Sequence, residues 1–149
     1  QKGRKYVVDE FKKNIPFVPG FKGLIGRISV GYITGLVTAT PLRILDWIRE
    51  SKKLDDYFQY IISGEETEQN KPHPQPYIEM MSRVGVKPEN TVIIEDSLPG
   101  LSSALGSGAH VIARAGSVPI EKLNIAHFIV DHLDEITLQL LEDLLQEPI

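Results

Sequence analysis

The sequence predicts an α/β fold, with a mostly parallel sheet flanked by helices. Three observations carry that expectation. Short runs rich in β-branched and aliphatic residues recur at 32–40, 58–63, 91–95, 110–114 and 127–131. Segments with helical apolar spacing separate most of them. One run, "TVII", drives straight into two adjacent acids, Glu95 and Asp96. In parallel sheets ligands sit beyond the carboxyl ends of the strands, so that rim is where function is expected.

The elements follow in order. "YITGLVTAT" (32–40) has the residues of a buried strand. "PLRILDWIRESKKL" (41–54) follows as a helix whose apolar face is Leu42, Leu45, Trp47 and Ile48. Thr40 is placed to cap it and Pro41 suits its first turn. "FQYIIS" (58–63) is a second strand, and the polar, proline-broken 65–75 is a loop. Pro76 opens a helix bearing Tyr77, Met80, Met81 and Val84, which Gly85 stops. After the strand at 91–95 comes a helix near 99–107, then strands at 110–114 and 127–131. A last helix over about 134–146 presents Ile136, Leu140, Leu141, Leu144 and Leu145 on one face.

Composition narrows the function classes. At 149 residues, 42% hydrophobic and 24% charged, the chain suits one globular domain. Its net charge of −4 offers no basic footprint, so no nucleic-acid partner is expected. It has no cysteine, which excludes disulfides and thiolate metal sites. No apolar run approaches the roughly 20 residues of a membrane span, so no membrane partner is expected and a cytoplasmic setting is the default. The sequence starts at Gln1 rather than at a methionine, and a processed product or fragment is expected.

Three groups stand where the strands end. Thr38, with Thr40 two residues on, offers a hydroxyl and backbone N–H groups at a helix start. That arrangement serves either as a cap or as an anion site. Lys71 lies in "KPHP", where Pro72 presets the backbone beside it. It reads either as a solvated lysine or as a fixed phosphate partner. His73, between two prolines, reads as a loop histidine. Glu95 and Asp96 repel each other and resist burial. Either one caps the next helix, or the pair faces a hard cation such as Mg²⁺, which takes one or two carboxylates, waters and substrate phosphate. A hydroxyl, a lysine and paired carboxylates on one rim suit phosphoryl transfer, which needs positioning and charge stabilisation above all.

"GLVTAT" together with "ISGEETEQNKPHPQPYIEMMSRVGVKPENTVIIEDSLPGLSSALGSGAHVIA" resembles the haloacid dehalogenase (HAD) superfamily, nearest its phosphoglycolate phosphatase and β-phosphoglucomutase branch. The resemblance runs from about Phe17 to the end. It implies a Rossmann-like core and a Mg²⁺-dependent phosphatase of small phosphorylated metabolites. Thr38 and Lys71 match the phosphate-binding catalytic residues, and Glu95 and Asp96 match the metal ligands. Residues 1–16, ahead of that match, are expected to be the end of the substrate-selecting cap and its hinge, leaving 17–149 as core.

One part of the family pattern has no counterpart. The family's D-x-D-G nucleophile motif is missing, because no two aspartates here are separated by a single residue. "YVVDEF" puts Phe11 where the second aspartate belongs, and Asp131 and Asp134 are three apart. The core is therefore expected to lack its first strand, to be inactive alone, and to need an N-terminal segment or to self-associate. A mutase is one alternative. A non-catalytic domain binding phosphate or protein is another, and a receiver-like or flavodoxin-like module a third.

Overall fold

The structure, a computed structural model, describes residues 17–116 and 118–148. The expected cap end and hinge at 1–16 lie outside the described residues.

The first element is a helix that the sequence reading did not include, α1 (Phe21–Ile28). Gly23 and Gly26 weaken its helical signature. It forms because Leu24 and Ile25 are buried, and because Arg27 anchors it by donating to the carbonyls of Leu133 and Ile136 at 3.1 and 3.0 Å. Tertiary contacts here override local propensity. Then come β1 (Gly35–Val37), α2 (Leu42–Ser51), β2 (Tyr60–Ile62), α3 (Gln75–Val84), β3 (Val92–Glu95), α4 (Leu98–Gly106), β4 (His110–Arg114), β5 (Phe128–Val130) and α5 (Leu138–Gln146).

Among the described residues all the strand pairs are parallel. β1 pairs with β2 in the register Val37 to Ile62. β4 lies between β3 and β5, with Glu95 opposite Ala113. Its Val111 and Ala113 join a core beneath α3 and α4, with Tyr77, Leu101 and Ala104. Its Ile112 points the other way, into a core with Leu24, Val130, Leu141 and Leu144. Both faces of this sheet are therefore covered, α3 and α4 on one side and α1 and α5 on the other, as parallel sheets require.

Among the described residues the strands form two sheets, β1–β2 and β3–β4–β5. Within these described residues β1 and β3 each have a strand neighbour on one edge only, and both line a cleft of about 670 Å³. Leu24, Ile25, Met80, Met81 and Leu141 contribute much of its apolar lining.

Several expected boundaries shift for local reasons. The strand at 32–40 contracts to β1, because Thr34 donates its hydroxyl to the Tyr57 carbonyl at 2.7 Å and Thr38 begins a turn. Thr40 does not cap α2, since Pro41 holds the N-cap position without a side-chain bond. The hydroxyl oxygen of Thr40 instead accepts from Thr38. Leu42, expected on the buried face of α2, is 39% exposed, while Leu45 is buried. The single helix expected over 134–146 divides into a short 3-10 turn (Leu133–Glu135) and α5. Each piece has its own N-cap, His132 with Glu135 in a capping box and then Thr137. Gly85 ends α3 in the left-handed region at φ 80°, as expected.

Candidate functional site

The sequence-selected residues occupy the carboxyl-end rim. Thr38 follows the last residue of β1, and Glu95 and Asp96 close β3. Lys71 reaches them from the loop between β2 and α3. Its ammonium donates to the Val37 carbonyl at 3.1 Å and to Glu95 Oε1 at 2.7 Å. One side chain thus joins the end of β1 to the end of β3, across the two sheets.

The Lys71–Glu95 pair is largely withdrawn from water, with side-chain exposures of 13% and 9%. Such a pair is retained only when further hydrogen bonds satisfy it. Tyr77 supplies one, its hydroxyl donating to Glu95 Oε1 at 2.8 Å. The Lys71 ammonium also lies 5.1 Å from the centre of the Tyr77 ring, within cation–π range. Burial, and then the negative charge of Glu95, push the Tyr77 hydroxyl far above the usual tyrosine range. It therefore remains a donor to the carboxylate.

Glu95 Oε2 is turned toward the start of α4. Ser97 Oγ lies 3.5 Å from it and also accepts from the Gly100 N–H at 3.1 Å, capping the helix. A Cβ at position 100 would overlap Oε2, so glycine lets the carboxylate lie against the helix. Asp96 faces outward, its side chain 48% exposed. Its Oδ2 accepts from Arg114 Nη2, at the end of β4, at 3.1 Å.

Thr38 is more engaged than its sequence suggests. Its N–H donates to the Ile62 carbonyl, its hydroxyl donates to Thr40 Oγ1 at 2.8 Å, and the Thr40 N–H donates back to it. Of the backbone N–H groups expected to be free, that of Thr38 is thus used by β2 and that of Thr40 within the turn. His73 has a local role, its Nδ1 accepting from the Gln75 N–H. Among the described residues no group of three or more His, Cys, Asp or Glu gathers as a metal cage.

Three contributors escaped the sequence reading. Tyr77 counted only as part of an apolar helix face, yet its oxygen bonds to the site. Arg114 closes a strand opposite the acids, and register alone would have found it. Glu66 ties down the loop before Lys71, accepting from the Ser63 N–H at 2.6 Å and pairing with Arg83.

Fold and rim define a parallel α/β protein, covered on both faces of its larger sheet, with charged groups gathered at the carboxyl ends of its strands. The chain belongs to the haloacid dehalogenase-like hydrolases, whose family model matches residues 2–114. It is 33% identical over 87 residues to hexitol phosphatase B of Escherichia coli K12, covering 58% of this chain and 39% of that protein. It is 33% identical over 105 residues to phosphoglycolate phosphatase of Salmonella typhi, covering 70% of this chain and 42% of that protein. The chain therefore spans about two fifths of these curated relatives.

Solved structures agree on the fold. CbbY from Rhodobacter sphaeroides, in complex with phosphate, superposes with a TM-score of 0.81 at 27% identity over 91% of this chain and 63% of that one. A family IA hydrolase from Entamoeba histolytica gives 0.84 at 21% identity over 98% and 72%, a likeness of fold alone. Among the described residues no helix is long and apolar enough to cross a membrane.

Proposed function

We propose that this chain forms the phosphate- and cation-binding part of a Mg²⁺-dependent phosphatase acting on a small phosphorylated metabolite. The observation that carries the proposal is Lys71, bonded at once to the Val37 carbonyl and to Glu95. It draws the Thr38 turn and the carboxylate pair to one place, as phosphoryl positioning demands. The relatives named as phosphatases of phosphoglycolate and hexitol phosphates support a sugar-phosphate-sized substrate.

The donor set fits Mg²⁺. Two hard oxygen ligands, one of them half-exposed, leave room for the waters that this ion keeps. Asp96 would ligate directly. Glu95, its Oε1 bonded to Lys71 and Tyr77, would act through Oε2 or through water. Mg²⁺ when bound supplies charge neutralisation at the phosphoryl oxygens. Lys71 adds a fixed ammonium, and Thr38 a hydroxyl once its bond to Thr40 is exchanged for one to phosphate.

The attacking carboxylate is assigned to a strand that enters the cleft between β1 and β3. That position would hydrogen-bond the edges of β1 and β3 that have no strand neighbour among the described residues, and deliver the strand's carboxyl end beside Lys71 and Asp96. The test uses an enzyme with that segment joined to this chain, assayed with a generic aryl phosphate over a Mg²⁺ titration. Asp96→Asn is expected to lower activity at least about 100-fold and to flatten the Mg²⁺ dependence. An unchanged Mg²⁺ profile in that variant would reject the metal assignment. Phosphate binding without turnover in the joined enzyme would favour the non-catalytic reading.

A further inference from the structure

The two carboxylates at the rim each face a cation of the chain: Glu95 faces Lys71, and Asp96 faces Arg114. The two pairs differ in setting. Lys71–Glu95 is buried and braced by Tyr77. Arg114–Asp96 is looser, at 3.1 Å with side-chain exposures of 21% and 48%. Arg114 also lines the cleft, beside Glu95 and Asp96. Its guanidinium is turned toward the chain just after β4, where Nη1 donates to the Ala115 carbonyl at 3.4 Å. The proposed metal ligand is thus also the acceptor for an arginine on the neighbouring strand.

A divalent cation and a guanidinium sharing one carboxylate repel each other. Of the two rim pairs, the exposed one costs less to open. We infer that Arg114 competes with the divalent cation for Asp96, and that cation binding turns its guanidinium into the cleft as an additional phosphate-binding group. Arg114 then links the two ligands: the cation exposes a fork of donors suited to phosphate, and phosphate favours the cation-bound arrangement by reciprocity.

The inference rests on the proposed cation site, and the experiment separates the two. Mn²⁺, a paramagnetic substitute for Mg²⁺, is titrated into the full chain with and without inorganic phosphate, its free fraction read by electron paramagnetic resonance. In the unsubstituted protein phosphate should tighten Mn²⁺ binding. Arg114→Gln should bind Mn²⁺ alone about 3- to 10-fold more tightly, with the tightening by phosphate largely lost. Arg114→Lys, which keeps the charge, should stay within about twofold of the original for Mn²⁺ alone. Circular dichroism verifies folding, and Arg114→Met replaces the glutamine variant if that one fails to fold. Unchanged or weaker Mn²⁺ affinity in a folded neutral variant, or phosphate linkage equal to the original, overturns the role of Arg114. Asp96→Asn reports on the underlying site: if Mn²⁺ still binds as before, the cation site itself is wrong and the inference falls with it.

Discussion

Tyr77 shows how much one buried oxygen can decide. Its hydroxyl donates to a carboxylate that also holds Lys71, so removing it leaves a buried anion short of a partner. Tyr77→Phe is expected to lose about 1.5–3 kcal/mol of stability, the range for hydrogen bonds to charged groups, measurable by urea unfolding. The pH dependence follows from the same environment. Burial, then Glu95, raise the folded-state pKa of this tyrosine. In the unfolded chain it titrates near its ordinary value of about 10. Its contribution is therefore fully present below about pH 10 and is lost as pH rises beyond it, because the unfolded state releases the proton first. The difference in stability between the protein and Tyr77→Phe should shrink as pH rises from about 9 to 11, and a constant difference would contradict the assignment. Sequence reading placed this residue correctly on the buried face of its helix. It missed the hydroxyl because apolar periodicity carries no information about which long-range acceptor a buried oxygen will find. Lys71 alone read as readily as a solvated lysine; only its standing with Thr38 and the paired acids at strand ends, and the family resemblance, singled it out.

Elements were legible as types more than as extents. The alternation of strands and helices was plain, since apolar periodicity reports burial directly. Their ends were decided by bonds between distant segments, such as Thr34 to Tyr57. The contact between α4 and β3 allows a sharper test, because two effects oppose each other at Gly100. Alanine favours a helix by about 1 kcal/mol over glycine. Its Cβ would overlap Glu95 Oε2, and that carboxylate is held in place by Lys71 and Tyr77 through its other oxygen. Overpacking against a pinned group costs about 1–3 kcal/mol, so the clash should win and Gly100→Ala should lower the thermal midpoint. A raised midpoint would mean that Glu95 moves aside easily, and the fixed geometry assigned to it would have to be abandoned.

At the scale of the whole molecule, the cleft sets the terms. Among the described residues β1 and β3 each have one edge without a strand neighbour there, and the cleft is lined by apolar side chains. Such edges invite pairing with another strand. The 149-residue chain is expected to self-associate in solution and to show no turnover of an aryl phosphate with Mg²⁺. Addition of a strand-length peptide of about six aliphatic residues ending in D-x-D-G should shift it toward monomer and restore activity. Sedimentation and hydrolysis assays check both, and robust turnover by the verified chain alone would show a nucleophile among its own residues. The sequence made this expectation reachable only through family resemblance, since the absence of a motif leaves no periodicity to read.

The anchoring of α1 has a consequence for how the chain is made. Arg27 bonds to carbonyls 106 and 109 residues further along. During synthesis, that helix emerges long before its acceptors exist. At about 5–20 residues per second the wait is roughly 5–20 s. Through that interval Leu24 and Ile25 have no finished surface to settle on. A ribosome-bound nascent chain stalled before Leu133 should expose this segment to chaperones, and release from the stall should bury it.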